Sequence, residues 1–266
     1  MSGILATIIT ADFSDMIIRV KNLVRLREQS ETIAKMIKGI HLEGPFINGA
    51  DGYRGAHPQA HILRPSVERM TMLLDACGGL LKLVTLAPEF DAQNRVTKYL
   101  HEQGVTVSAG HCDPTFEQLQ QAVVAGLSMF THLGNGCPQL LHRHDNIIQR
   151  VLNLKDDLWI CFIADGHHVP FHVLKNYIAL AGVERTIITT DAMAAAGAPE
   201  GLYTLGDIEL AVGKERIVHQ PGKTNFAGSA IDMKSSDINL VEQLGLTPAQ
   251  IHQMTYINPM KAFSTL

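Results

Sequence analysis

Several features that would assign the chain to a common functional class are missing. None of its apolar runs approaches the roughly 20 residues of a membrane-spanning helix. Its 22 basic and 26 acidic residues give a net charge of −4, and no stripe of Lys and Arg interleaved with aromatic residues occurs. Nucleic acid is therefore not an expected partner. No glycine-rich stretch has the P-loop spacing, so the sequence gives no support for nucleotide binding.

Cysteine is also scarce. The four cysteines, Cys77, Cys112, Cys137 and Cys161, form no CxxC pair and lie within or beside apolar runs. This usage favours small packing residues in a reducing compartment over a disulfide framework. The first residues, MSGILATIITADF, have neither a basic stretch nor a small-residue cleavage site, so we expect no signal peptide. The prediction is a cytoplasmic protein.

What the chain does have is an alternation of short apolar runs and segments with helical spacing. Of its 266 residues, 46% are hydrophobic, which is enough for a sizeable core. Seven nearly continuous apolar runs are typical of strands buried on both faces. They are ATIIT (6–10), KGIHLE (38–43), LLKLVTLA (80–87), VTVSAG (105–110), MFTHL (129–133), WICFIA (159–164) and TIITTD (186–191).

Helical segments separate these runs, at about 14–36, 66–77, 91–103, 115–125, 145–154 and 171–181. Alternation of this kind predicts parallel βαβ units. Seven strands are one fewer than a closed (β/α)8 barrel needs, so we predict an α/β, TIM-like barrel that is incomplete, as a single domain over residues 1–266. A doubly wound open sheet is the alternative.

Chemically active side chains follow four of the predicted strands. Glu43 ends the second strand, His111 the fourth, His132 lies in the fifth, and Asp191 ends the seventh. The carboxyl ends of parallel strands meet on one face, where ligands bind. Two imidazoles and one carboxylate are the ligands of a catalytic zinc site, although iron also accepts them. A bound dication would also compensate the otherwise costly burial of Glu43 at a strand end.

The remaining polar residues fit hydrolysis at such a metal. A bound metal lowers the pKa of its water, and a further group must then carry the water proton to the leaving group. Asp191 is the rim carboxylate that remains for this role. His57 and His168 could polarise a carbonyl or bind an anion, and Arg143 could bind a carboxylate or a phosphate. Each of these residues alone is also common in structural roles, such as a turn or a helix cap.

The motifs around these residues resemble a known family. GIHLEGPFI, RGAH, VSAGH, FTHLGN, ADGHHV, TTDAMAAAG and AGSAIDM occur in order from Gly39 to Met233, and YINPMKAF closes the chain. Together they resemble the N-acetylglucosamine-6-phosphate deacetylases of the amidohydrolase superfamily.

The resemblance implies a metal-dependent hydrolase that removes the acetyl group from N-acetylglucosamine 6-phosphate, giving glucosamine 6-phosphate and acetate. It implies that Glu43, His111 and His132 bind the metal, and that Asp191 is the catalytic base and acid. The substrate-binding residues that it implies are His57, Asn135, Gly136, Arg143 and His168. It also implies a homodimer in which Arg143 reaches across the interface to the substrate phosphate.

The chain departs from the family pattern in two ways. A first strand ending in His-x-His and parts of a small β-sandwich have no counterpart, so we expect one divalent metal, zinc before iron, in an incomplete barrel. HLGNGCP and HRHDN also differ from the family's stretches where substrate should bind. Two alternatives therefore stay open: another amidohydrolase that cleaves a different N-acyl or cyclic amide, and an inactive truncated fragment.

Overall fold

The main element of the fold is a seven-stranded parallel sheet. The structure, a computed structural model, describes residues 3–205, 208–213, 217–222 and 226–263. The spatial order of the strands follows the chain from β1 to β7. The strands are β1 (Ile4–Ile9), β2 (Ile37–Glu43), β3 (Leu81–Leu86), β4 (Thr106–Ala109), β5 (Leu127–Phe130), β6 (Trp159–Ile163) and β7 (Thr186–Thr189). This sequential order is that of a barrel, whereas a doubly wound sheet reverses direction.

Helices connect successive strands, as the alternation predicted. They are α1 (Phe13–Gln29), α2 (Glu31–Met36), α3 (Val67–Ala76), α4 (Arg95–Glu102), α5 (Phe116–Val124), α6 (Ile147–Asn153) and α7 (Phe171–Ala181). The first predicted helical segment is divided in two at Ser30. This residue has an extended backbone, and its side chain accepts a hydrogen bond from the Ile33 amide to cap α2.

The sheet is curled, so its two edges face the same interior. Leu5 of β1 and Ile187 of β7 belong to one apolar cluster with Leu83, Met129 and Cys161 of the strands between them. Within the described residues, β1 and β7 are the two ends of the sheet and are not paired with each other. The prediction of an incomplete TIM-like barrel is therefore confirmed.

A second sheet, which the sequence analysis did not predict, follows β7. Its four antiparallel strands are β8 (Gly201–Leu205), β9 (Ile208–Val212), β10 (Ile217–His219) and β11 (Phe226–Ser229), in the order β11-β10-β9-β8. Ser229 ties it to the barrel: its amide donates to the carbonyl of Asp191 (2.9 Å), and its hydroxyl donates to the carbonyl of Thr190. The second sheet thus helps to fix the segment after β7. The division of the chain into domains stays a prediction.

Three helices follow the second sheet, and the last of them lies at the amino ends of the barrel strands. They are α8 (Met233–Glu242), α9 (Pro248–His252) and α10 (Asn258–Ala262), with a π-helical turn, Gln253–Ile257, between the last two. Buried Asn258 donates two side-chain hydrogen bonds, to the carbonyls of Val183 (2.7 Å) and Thr186 (2.6 Å), at the start of β7. No helix in the described part of the chain is long and apolar enough to cross a membrane.

Candidate active site

A cavity of about 680 Å³ opens at the carboxyl ends of the barrel strands. Eight of the nine predicted site residues line it: Glu43, His57, His111, His132, Asn135, Gly136, His168 and Asp191. Arg143 does not. It lies between β5 and α6, on an exposed segment of the surface.

Glu43, His111 and His132 converge on a single point in this cavity. Oε1 of Glu43 lies 3.1 Å from Nε2 of His111 and 3.0 Å from Nε2 of His132, and the two Nε2 atoms are 3.1 Å apart. Three ligand atoms that each lie about 2.0–2.1 Å from a tetrahedral ion are separated from one another by about 3.3 Å. The triangle of donor atoms therefore fits a small divalent cation.

The protonation pattern also fits a cation. Nδ1 of His111 lies 2.6 Å from the carbonyl oxygen of Tyr53, so Nδ1 donates to it and Nε2 presents its lone pair. Burial acts to raise the pKa of Glu43, but the adjoining imidazoles of His111 and His132 outweigh burial and hold that pKa well below the ordinary value, so the carboxylate is charged. The charged Glu43 carboxylate and the unprotonated Nε2 of His111 thus lie 3.1 Å apart with no proton between them. A bound cation would stabilise this arrangement.

Three site residues have a strained backbone. His111, His132 and Asp191 have φ angles of +51°, +35° and +49° at the ends of β4, β5 and β7. Residues other than glycine rarely adopt positive φ, and each such residue costs on the order of 1–3 kcal/mol. Strain that recurs at three strand ends lining the same cavity supports a functional origin, because strained residues cluster at active sites.

Asp191 is the other acidic residue, besides Glu43, that lines the cavity in the described part of the chain. It is half-buried and interacts electrostatically with Glu43, His132 and His168. Burial, and then the negative charge of Glu43, raise the pKa of Asp191 to about 6. A carboxyl group with a pKa close to neutral can both accept and return a proton at physiological pH.

Two further histidines, His57 and His168, line the cavity, and in each ring one nitrogen already has a hydrogen-bond partner. Nδ1 of His57 lies 2.8 Å from the Thr10 hydroxyl, and burial lowers the pKa of His57 to about 3, so the ring is neutral. Nδ1 of His168 donates to Asp165 (2.6 Å), and the His168 ring packs on Phe226 with 4.8 Å between centroids. In both residues, Nε2 is the nitrogen left for a substrate.

The loop after β5 lies against the cluster of Glu43, His111 and His132. The amide and the side-chain Nδ2 of Asn135 both donate to the carbonyl of His132, at 3.0 and 3.2 Å. Gly136 has a φ of +61°, and a Cβ atom there would lie 2.9 Å from Nδ1 of His111. Glycine is therefore required at this position for the loop to approach the ring.

Polar side chains inside the barrel form a hydrogen-bonded network that was not predicted from the sequence. Nε2 of His41, which lines the same cavity, lies 2.8 Å from the hydroxyl of Thr85, and that hydroxyl lies 2.8 Å from Thr131. Burial lowers the pKa of His41 to about 4, so it is a neutral member of this network. A signal was present, because His41 precedes Glu43 by two residues on the same strand and so points to the same face.

The cysteines are free, and none has the properties of a nucleophile. Cys137 lines the cavity, but burial raises the pKa of its thiol to about 11. A thiol with a high pKa carries little reactive thiolate at neutral pH. This agrees with the reading of these residues as packing side chains.

No family model matches the chain, but individual relatives do. The N-acetylgalactosamine-6-phosphate deacetylase of Escherichia coli O157:H7 is 30% identical over 261 residues, 97% of this chain and 66% of the relative. The N-acetylglucosamine-6-phosphate deacetylase of Lysinibacillus sphaericus is 34% identical over 222 residues, 84% of this chain and 56% of the relative. A solved structure, a Mycobacterium smegmatis N-acetyl-D-glucosamine-6-phosphate deacetylase mutant in complex with N-acetyl-D-glucosamine 6-phosphate, matches with a TM-score of 0.89 and 29% identity, over 99% of this chain and 68% of that one.

The chain belongs to the N-acetylglucosamine-6-phosphate deacetylase family. The resemblance inferred from the ordered motifs is confirmed, and so is the barrel fold. The chain nevertheless spans only 66% of the length of the Escherichia coli relative and 56% of the Lysinibacillus sphaericus relative. What the whole enzymes do is therefore carried over to this chain only as a proposal.

Proposed function

We propose that the chain is the metal-binding, catalytic part of a deacetylase that converts N-acetylglucosamine 6-phosphate to glucosamine 6-phosphate and acetate. The observation that carries the proposal is the convergence of Glu43, His111 and His132, with edges of 3.0–3.1 Å, in the cavity that Asp191 also lines. These three residues would hold one divalent ion, and zinc suits two imidazoles and a carboxylate, with iron as the other candidate.

Such an ion, when bound, lowers the pKa of a water molecule and polarises the amide carbonyl. Asp191 accepts a proton from the water that adds to the acetyl carbon. It then returns that proton to the sugar nitrogen as the carbon–nitrogen bond breaks, so that the free amine and acetic acid leave, and the acid ionises to acetate in water. Its pKa of about 6 suits both steps. Nε2 of neutral His57 is assigned to the acetyl group.

The sugar phosphate is assigned to the outer part of the cavity. His168, held through Nδ1 by Asp165, offers Nε2, and the Asn135–Gly136 segment, which lines the cavity, is assigned to the substrate beside it. Arg143 is exposed and outside the cavity of its own chain. We propose that in a homodimer Arg143 binds the phosphate of the substrate held by the partner subunit. Its planar guanidinium group suits two phosphate oxygens. The four free cysteines agree with a cytoplasmic location.

A second substrate has one specific observation in its favour. The Escherichia coli relative is named for N-acetylgalactosamine 6-phosphate, the epimer at carbon 4 of the sugar. An acetate-release assay on the zinc-loaded chain should therefore include both epimers, each with and without the phosphate. Release from the phosphorylated glucosamine derivative supports the proposal. Release from neither phosphorylated sugar, in a chain that has bound zinc, would refute it and favour a different amide substrate or an inactive fragment.

A further inference from the structure

Tyr53, in the loop between β2 and α3, makes two contacts with one neighbouring segment. Its carbonyl oxygen accepts the 2.6 Å hydrogen bond from Nδ1 of His111, and its phenol donates a 2.8 Å hydrogen bond to Oδ2 of Asp113. His111 and Asp113 both lie just after β4. One loop residue is thus fastened twice to the segment that carries a proposed metal ligand.

Asp113 is itself held firmly, which makes it a fixed anchor. Its other carboxylate oxygen accepts a 2.8 Å hydrogen bond from Nη1 of Arg150, whose side chain is only 14% exposed. The same nitrogen also donates to the carbonyl of Pro114 (2.9 Å). The amide of Asp113 donates to Glu89 (2.8 Å). Because of these bonds, the acceptor of the Tyr53 phenol has a defined position on the barrel.

The backbone around Tyr53 has little intrinsic rigidity. Gly52 and Gly55 lie on either side, with φ angles of +88° and +54°, in a stretch, residues 44–58, without strand or helix. Glycine gives a chain many accessible conformations. A local hydrogen bond from the Tyr53 amide to the carbonyl of Ala50 (3.1 Å) does not connect the loop to the barrel. The contact of the phenol with Asp113 does, in the middle of the loop. Towards its two ends the loop is held by the Asn48 amide, which donates to the carbonyl of His111 (2.9 Å), and by the hydrogen bond between Nδ1 of His57 and the Thr10 hydroxyl (2.8 Å).

We propose that the Tyr53 phenol is a positioning group for the metal centre: by its hydrogen bond to Asp113 it fixes the carbonyl that orients the His111 ring. The inference rests on the metal-binding part of the proposed function. Loss of groups that hold metal-ligating histidines typically weakens metal binding by about 10–100-fold. Tyr53→Phe keeps the carbonyl and removes only its tether, so we expect a loss at the low end, about 10-fold.

The test is a titration of the full chain with zinc in competition with a chromogenic chelator. Tyr99→Phe is the matched control, because its phenol only accepts a 3.0 Å hydrogen bond from Thr71, between α3 and α4. We expect about 10-fold weaker zinc binding in Tyr53→Phe and unchanged binding in Tyr99→Phe. Asp113→Ala removes the acceptor of the Tyr53 phenol together with the contact to Arg150, so it should weaken binding by at least the same factor. Adding Tyr53→Phe to that variant should cause little further loss, because the contact between the phenol and Asp113 is already gone.

Two more measurements separate positioning from general destabilisation. The visible spectrum of the cobalt-loaded chain reports the ligand geometry, and it should change in Tyr53→Phe but not in Tyr99→Phe. The melting temperature of the metal-free chain should be similar in the two variants. Wild-type affinity in Tyr53→Phe would overturn the inference and leave the metal site standing, whereas a wild-type chain that binds no zinc would overturn both.

Discussion

Replacing Gly136 with alanine should weaken metal binding without substituting any of the proposed metal ligands. The new Cβ would lie 2.9 Å from Nδ1 of His111, whereas ordinary contacts begin at 3.4 Å. The ring would therefore have to move by about 0.5 Å, which exceeds the tolerance of about 0.2 Å on metal–ligand distances. The shift would also disturb the hydrogen bond between Nδ1 and the carbonyl of Tyr53. We expect zinc affinity to fall by about 10–100-fold, the range found when groups that orient a ligand are lost.

Gly104→Ala is the control for backbone strain. Gly104 has a φ of +73°, and its Cβ would meet no atom within 4 Å. Both substitutions place an alanine at positive φ and should each lower the free energy of unfolding by about 1–2 kcal/mol. Only Gly136→Ala adds crowding at His111. Zinc titration and denaturant unfolding of the two variants measure the two effects separately. Equal, wild-type-like zinc affinity in both would refute the account of the Asn135–Gly136 loop.

Three other predictions concern the reaction and the outer site. Asp191→Asn should lower kcat by about 10²–10⁴-fold, because the proton carrier is lost, while zinc affinity stays close to wild type; a near-normal rate would contradict the assignment. Arg143→Ala should raise KM for the phosphorylated sugar and leave unphosphorylated N-acetylglucosamine unaffected; an unchanged preference for phosphate would contradict the role in phosphate binding. The pKa of Asp165 lies below its ordinary value: burial opposes this shift, and hydrogen bonds and the charge of His168 outweigh it. Its contribution to stability is therefore complete above the ordinary pKa of 3.8 and is lost as the pH falls through the lowered value. The gap in unfolding free energy between wild type and Asp165→Asn should be larger at pH 6 than at pH 2.5, and a gap that does not change with pH would contradict this.

The candidate site was predictable because parallel strands deliver their last residues to one face. Glu43, His111, His132 and Asp191 follow four separate strands, and the fold brings all four to one cavity. The strands themselves were predictable from continuous apolar runs, since a strand covered on both faces has no polar side. Apolar runs and strand-end residues are patterns among residues close in sequence, so they can be recognised without knowing which loops contact each other.

The missed features depend on long-range contacts or on weak patterns. Tyr53 meets Asp113 across 60 positions of sequence, and nothing near either residue indicates the partner. The strands of the second sheet have only three to five residues each and are largely exposed in β8, so they lack a continuous apolar run. His41 had a signal in its spacing from Glu43, but a histidine inside a strand is equally compatible with ordinary packing.

The central claim is that Glu43, His111 and His132 hold one metal ion in this chain. The most direct test is elemental analysis of the purified chain after reconstitution with zinc and removal of the excess, alongside Glu43→Gln, which has the same shape without the charge. We predict about one equivalent of zinc in the wild type and a large loss in the variant. A wild-type chain without bound zinc, or a variant that retains a full equivalent, would contradict the account.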